Sequence, residues 1–435
     1  MKVSRISAIT LIVLFLIVGI CSCQSTEENH YEVVQPDSEA RFEEEHIEQI
    51  KQLVKGLEYS DKVAEDFVQM ISNWRDAQGR PVLTSWKQRL NQTENEYKQG
   101  RITKDQFAKT EENVTRELSQ RIQKEISYNI EFSDLADVIK YRQAQCVSYS
   151  QLVYILGSSV GLSVEAINVE KPFNGVLVTG WSHMANIVNL SDGKIMMVDL
   201  LPSNFVSKPF IIEKEFTKVG NYWELKDKNN PLGIHRKIQI LDINMLIAVI
   251  YSERGITYVK SKQYQKAFLC FDKAIEIDPE CVMAYNNRGT VCIDLGQYDQ
   301  AILDFDKVIE LNPNSDTAYY NRGVAFRKSR KFDLAISDFT RAIVLNAEFT
   351  AAYYNRGTAY LKLDQYCKAI SDLSEAIKLD AGYALAYYSR GIAYASIREF
   401  EKAKKDLVKA VELIPTLKSF VKEVSDSFKL DLKLE

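Results

Sequence analysis

At 435 residues the chain is longer than one ordinary domain and suits two or three. A net charge of −4 with 26% charged residues offers no basic field, which excludes nucleic acid as an expected partner. A hydrophobic content of 46% excludes a collagen-like or largely disordered chain.

Lys2 and Arg5 precede an uncharged run from Ile6 to Ile20, too short for a comfortable membrane span and suited to the apolar part of a secretory signal. The run ends in Ile20-Cys21-Ser22-Cys23, which resembles the lipobox of bacterial lipoproteins and so implies lipidation of Cys23. The alternative is an uncleaved anchor helix. Either way, residues 1–23 are expected as a signal peptide or membrane anchor, with the body on the extracytoplasmic side of the cell envelope. Residues 24–46 are polar, acidic and poor in large apolar groups, and are expected as a flexible spacer.

Residues 47–240 are expected to form a folded domain that opens with helices. Ile47, Ile50, Leu53, Val54 and Leu57 share a helical face, and helical character continues through the Lys/Glu/Gln-rich run to Lys124. Cys146 then stands at the start of a buried helix that Gly161 ends. Short strands are predicted at Val164–Val169, Val176–Val178, Met184–Leu190 and Ile195–Leu200, with Asp192-Gly193 as a hairpin turn. Cys146 with Tyr149 and Leu152, Gly157, Gly161-Leu162, His183 through Val188, and Asp192-Gly193-Lys194 leading to Asp199 together resemble the core of transglutaminase-like proteins, relatives in fold of papain-type cysteine enzymes. The resemblance implies a nucleophile at Cys146, its base at His183 and an orienting carboxylate at Asp199. Gln143 is the candidate oxyanion donor, with Gln145 beside it.

The chemistry behind such a set is general. A helix N-terminus and an imidazolium favour the thiolate, and a carboxylate fixes the histidine tautomer. On strands joined at Asp192-Gly193, His183 and Asp199 are expected at neighbouring positions, though not directly across in ideal register. His183 is the only one of four histidines in the segment that reads as a β core, the others being His30, His46 and His235. Ala185 stands where the family often has an aromatic residue. Trp181 is either a wall of the cleft or a core residue. No phosphate loop, paired-histidine zinc motif or calcium loop is present in the sequence, so no cofactor and no metal are expected.

From residue 248 to 417 the sequence repeats every 34 residues. Gly255, Gly289, Gly323, Gly357 and Gly391 each follow an arginine, and Ala267, Ala301, Ala335, Ala369 and Ala403 come twelve later. Phe271, Phe305, Phe339, Leu373 and Leu407 keep the same interval, and Pro279, Pro313 and Pro415 close three of the units, with Ala347 and Ala381 in the others. The pattern resembles the tetratricopeptide repeat, a helix–turn–helix unit. The expected fold is therefore an α+β papain-like/transglutaminase-like domain followed by an all-α tetratricopeptide solenoid. Residues 418–435 are expected as a capping helix, with Phe420, Val421, Val424 and Phe428 facing the last repeat. Cys270, Cys281, Cys292 and Cys367 show no metal-ligand spacing and mostly suit buried thiols.

Asn287, Asn321 and Asn355, two residues before successive glycines, resemble the asparagine ladders of peptide-binding members, with Tyr320, Tyr354 and Tyr388 adding aromatic surface. An amide both donates and accepts, and so can pair with the backbone of an extended peptide. Two functions remain open. One is a membrane-tethered exported enzyme acting on protein amide bonds as a protease, amidase or transamidase, with repeats recruiting a protein or peptide. The other is a catalytically inactive envelope scaffold that mediates protein–protein interactions.

Overall fold

The computed structural model describes residues 36–432 apart from 129–134, 142, 145, 171, 174–175, 178–182, 201–204, 221 and 228–236; for 36–42, 128, 137, 143, 170, 172–173, 176–177, 183 and 205 it describes the backbone alone. Cys23 with the rest of segment 1–23, His30, Gln145, Trp181 and His235 lie outside the described residues, as do the side chains of Gln143 and His183. The chain divides into two compact units, Met1–Glu45 and His46–Glu435. Helix α1 spans Pro36–Gly56, so the expected spacer does not stay irregular as far as residue 46. Proline at the first helical position and acidic residues just after it suit a helix start.

In the second unit, helices α2 (Asp61–Ser72), α3 (Val82–Lys98), α4 (Lys104–Glu125), α5 (Leu135–Tyr141) and α6 (Cys146–Val160) come first. Thr103 starts α4 through a capping box: its hydroxyl accepts from Gln106 N–H and the Gln106 side chain accepts from Thr103 N–H. Gly161 ends α6 at φ +101°, where its N–H donates to Ser158 C=O and that of Leu162 to Gly157 C=O.

A seven-stranded antiparallel sheet follows, built from β1 (Ser163–Glu170), β2 (His183–Asn189), β3 (Ile195–Asp199), β4 (Phe205–Val206), β5 (Phe216–Val219), β6 (Tyr222–Leu225) and β7 (Lys237–Leu241). Its order is β4-β3-β2-β1-β7-β6-β5, so the sheet's last strand in chain order inserts beside its first. Alternation along the strands splits the core in two. Val164, Ala166, Met184, Val188, Met196 and Val198 face the helices, while Ile167, Val169, Ala185, Ile187, Met197 and Ile238 pack on the other side. Gly157 lets α6 approach β1, because a Cβ there would lie 2.7 Å from a Val164 methyl.

Five helix pairs come next: α7 (Ile243–Lys260) with α8 (Tyr264–Ile277), α9 (Val282–Asp294) with α10 (Tyr298–Leu311), α11 (Asp316–Lys328) with α12 (Phe332–Leu345), α13 (Thr350–Lys362) with α14 (Tyr366–Leu379), and α15 (Ala384–Ser396) with α16 (Phe400–Leu413). The repeating glycines sit where the paired helices meet. A Cβ at Gly289 would lie 2.8 Å from the Phe305 ring, and at Gly323 2.8 Å from that of Phe339. Helices α12 and α14 end at the same place as α8 and α10 although Ala347 and Ala381 replace proline. An Asx turn does the work there: Asp278, Asn312, Asn346 and Asp380 each accept the backbone N–H two residues on. Helix α17 (Lys418–Phe428) packs Val421, Val424 and Phe428 with Leu407 of α16. Phe420, expected on the same face, is instead 54% exposed. No helix among the described residues is long and apolar enough to cross a membrane.

Candidate functional site

Two places hold the residues singled out by sequence. The first is the start of α6. Ser150 on this helix donates to Ala185 C=O of β2, and Tyr149 donates to Ile126 C=O, its hydroxyl pKa pushed up to about 12 by burial. These bonds hold Cys146 over the β2–β3 hairpin. The hairpin loop is three residues rather than two: Leu190 N–H donates to Lys194 C=O, Gly193 has φ +89°, and Asp192 accepts from Lys194 N–H. Glu111 of α4 accepts the Ser191 N–H at 2.7 Å and pins the loop to the helices.

Register decides what faces what. Asn186 pairs with Val198, so the next rung sets Ala185 against Asp199, with His183 two residues further along β2. Cys146, Ser150, Asn186 and Asp199 line one cavity of about 10 Å³, roughly the room for a single water. Asp199 is 1% exposed. Asn186 was not singled out by sequence: it is 1% exposed, and its Nδ2 has no hydrogen-bond partner among the described residues. Gln143 lies in a two-residue strand paired with Ser127–Tyr128. No cluster of metal-ligating side chains occurs among the described residues.

The second place is the inner face of the solenoid, where α9, α11 and α13 meet edge to edge. Asn321 Nδ2 donates to Asn286 Oδ1 at 3.3 Å, and Asn355 Nδ2 donates to Tyr320 Oη at 3.1 Å and to Ala351 C=O at 2.8 Å. The ladder is therefore uneven. Asn355 is buried and its amide donors are committed within the protein, whereas Asn287 is half-buried and its side chain makes no hydrogen bond among the described residues. Tyr320, Tyr354 and Tyr388 are half-buried rather than open surface. Tyr320 packs on Phe349 at 4.8 Å, and Tyr354 meets Tyr383 edge-on at 5.0 Å.

A second periodic set went unrecognised in the sequence. In repeats two to five the arginine before the glycine reaches an aspartate 16 residues on: Arg288–Asp304, Arg322–Asp338, Arg356–Asp372 and Arg390–Asp406. Hydrogen bonding to Asp338 raises the pKa of the Arg322 guanidinium further, so the cation is permanent, while burial pushes the Asp338 carboxyl up against the bonds that hold it down. In repeat one the aspartate position is Cys270, and Arg254 instead lies 4.2 Å over the Tyr59 ring. Tyr59 in turn donates to Gln151 of α6, and Tyr251 of α7 donates to Glu58. Of the repeat cysteines, Cys281 and Cys292 are buried as expected of small hydrophobes, but Cys367 is exposed.

Comparison with known proteins agrees with the repeat geometry. A family model described as tetratricopeptide repeat matches residues 248–281, 282–315 and 317–349, and a second of the same description matches 350–383 and 384–417. No curated protein matches the chain. Among solved structures, a MamA protein is 28% identical over 43% of this chain and 97% of its own, with a TM-score of 0.36. YrrB, described as a TPR protein with an unusual peptide-binding site, is 26% identical over 40% of this chain and 92% of its own, with a TM-score of 0.36. MamA from Desulfovibrio magneticus RS-1 is 22% identical over 39% of this chain and 96% of its own, with a TM-score of 0.37. The C-terminal region of the chain, from residue 248 to 417, is a tetratricopeptide-repeat solenoid.

Proposed function

We propose that the protein is an interaction scaffold whose repeats hold an extended segment of a partner protein along α7, α9, α11, α13 and α15. The observation that carries this is the polar and aromatic inner face of α9, α11 and α13, in which the Asn287 side chain makes no hydrogen bond among the described residues. Such an amide pairs with a peptide backbone whatever its sequence. A photo-crosslinking residue placed at Asn287 tests the reading. Crosslinks to a partner from position 287, and none from Leu303 on an outer helix, are expected; equal yields from both positions, or none from either, would sink it.

A second reading has one observation in its favour: Cys146, at the start of a helix, and Asp199 line the same cavity. It makes α6 and the sheet a transglutaminase-like domain in which Cys146, His183 and Asp199 act on protein amide bonds. The scaffold reading stands ahead of it because tetratricopeptide-repeat models match residues 248–417. Alkylation of Cys146 followed against pH, in the natural chain and in His183→Ala, separates the two. Fast labelling at acid pH that slows in the variant supports the enzyme, and labelling indifferent to His183 removes it. Tethering at the extracytoplasmic face through Cys23 belongs to the same proposal, and intact-mass analysis showing residues 1–22 removed and acyl chains added is its test.

A further inference from the structure

Helix α11 carries Tyr320, Asn321, Val324, Arg327 and Lys328 at spacings that place them along one side of the helix. That side is the inner face, since Asn321 bonds to Asn286 of α9 and Tyr320 accepts from Asn355 of α13. Arg327 is half-buried there, and its Nε is buried with no hydrogen-bond partner among the described residues. The arginines of the periodic ladder differ, because Arg288, Arg322, Arg356 and Arg390 each hold a buried aspartate. A buried guanidinium N–H without an acceptor is costly, and the cost is relieved when an acceptor arrives.

On repeats three and four the inner helices end in further positive charge. Lys328 and Lys362 occupy one position in successive repeats, are exposed, and make no ion pair among the described residues. Helices α13 and α15 contain no acidic residue, and the single acid of α11, Asp316, accepts a hydrogen bond from Asn346. In repeats one and two the positions of Arg327 and Lys328 hold Val259, Lys260 and Ile293, Asp294, and Glu253 stands at the first rung of the ladder. Positive charge without an internal partner therefore gathers on repeats three and four.

We infer that the inner face of repeats three and four selects an acidic segment of the partner, with a carboxylate seated on Arg327. This rests on the inner face being the binding site. A planar guanidinium pairs with a carboxylate through two parallel hydrogen bonds, which gives a fixed geometry as well as energy. Lys328 and Lys362 add steering toward acidic chains, and the aromatic pairs Tyr320–Phe349 and Tyr354–Tyr383 form the floor on which the segment's apolar residues pack.

The test is selection of a randomised decapeptide phage library on the full chain, followed by fluorescence anisotropy of the selected peptide, labelled with fluorescein, at two salt concentrations. Asp and Glu should be enriched, binding should weaken with salt, and Arg327→Gln should weaken it about tenfold. Lys378→Gln, on outer helix α14 and paired with Glu375, should leave it unchanged. Among the described residues Arg327 makes no side-chain hydrogen bond or ion pair that the variant would lose, so the variant is expected to fold, and a thermal melt checks this. Peptides selected without acidic enrichment, or an affinity indifferent to Arg327→Gln, would overturn the acidic class and leave the groove standing. Failure to select any peptide would overturn both.

Discussion

Arg288 grips Asp304 with two hydrogen bonds, Nε to Oδ2 at 3.0 Å and Nη2 to Oδ1 at 2.7 Å, and with its remaining nitrogen reaches Asp272 of the preceding outer helix at 2.6 Å. One side chain thus ties a repeat's two helices together and joins it to its neighbour. Arg288 is 8% and Asp304 1% exposed, so removing one partner strands a buried charge. Asp304→Ala is expected to lower unfolding free energy by about 3 kcal/mol in urea melts. A loss below about 1 kcal/mol would show that the pair acts like a surface bridge.

The glycine–aromatic contacts make a steric prediction. Gly323→Ala drives a methyl to within 2.8 Å of the Phe339 ring and should cost about 1–3 kcal/mol. Gly56→Ala, at the end of α1 with nothing within 4 Å, should be neutral or stabilising by up to about 1 kcal/mol. Thermal melts of the two variants shifting in the same direction would contradict the packing account.

The turn inside each repeat carries a left-handed residue, and only repeat two has glycine there. Lys262, Gly296, Arg330, Asp364 and Arg398 occupy this position with φ between +56° and +75°. Arg330→Gly and Arg398→Gly relieve the side-chain clash at the cost of unfolded-state entropy, and each should gain about 0.5–1 kcal/mol. Destabilisation by both would mean that the side chains make contacts worth more than the strain.

Acid should loosen the helices around His46. Burial first, and then the charge of Lys87, depress its pKa from 6.5 to about 4, with a hydrogen bond to the Ser159 backbone opposing them. The folded pKa lies below the unfolded one, so the contribution is complete above pH 6.5 and is lost as pH falls through 4. Its full size is about 3 kcal/mol. His46→Gln should flatten that part of a stability-versus-pH curve, and an unchanged slope would assign the acid sensitivity to other groups.

Thiol labelling should rank the cysteines by environment. Burial pushes the Cys292 thiol up to about 11, whereas Cys367 is exposed. Iodoacetamide at neutral pH should modify Cys367 first and Cys292 at least about a hundredfold more slowly, the thiolate being the reactive form. Comparable rates would show that the repeats open on the labelling timescale.

The sequence by itself determined the solenoid. Each glycine meets its phenylalanine or leucine partner 16 residues later, inside one helical pair, so a contact that local leaves a periodic mark on the chain. The hairpin at Asp192-Gly193 was legible for the same reason, since a tight turn is chemistry between neighbours. The periodic aspartates were also present to be read, and were missed because an acidic residue on a helix ordinarily means a solvated face.

Only the tertiary structure decided the rest. The place of β7 beside β1, the stacking of Arg254 on Tyr59, and the burial of Asn186 beneath Cys146 join residues far apart in the chain. Strand register sets Ala185, rather than His183, on the rung facing Asp199, and side-chain bonds turned Asn355 inward while leaving Asn287 available. A residue type and its order in sequence name a possible role. Which side chains meet, and which hydrogen bonds are already taken, follows from non-local packing that no single segment records.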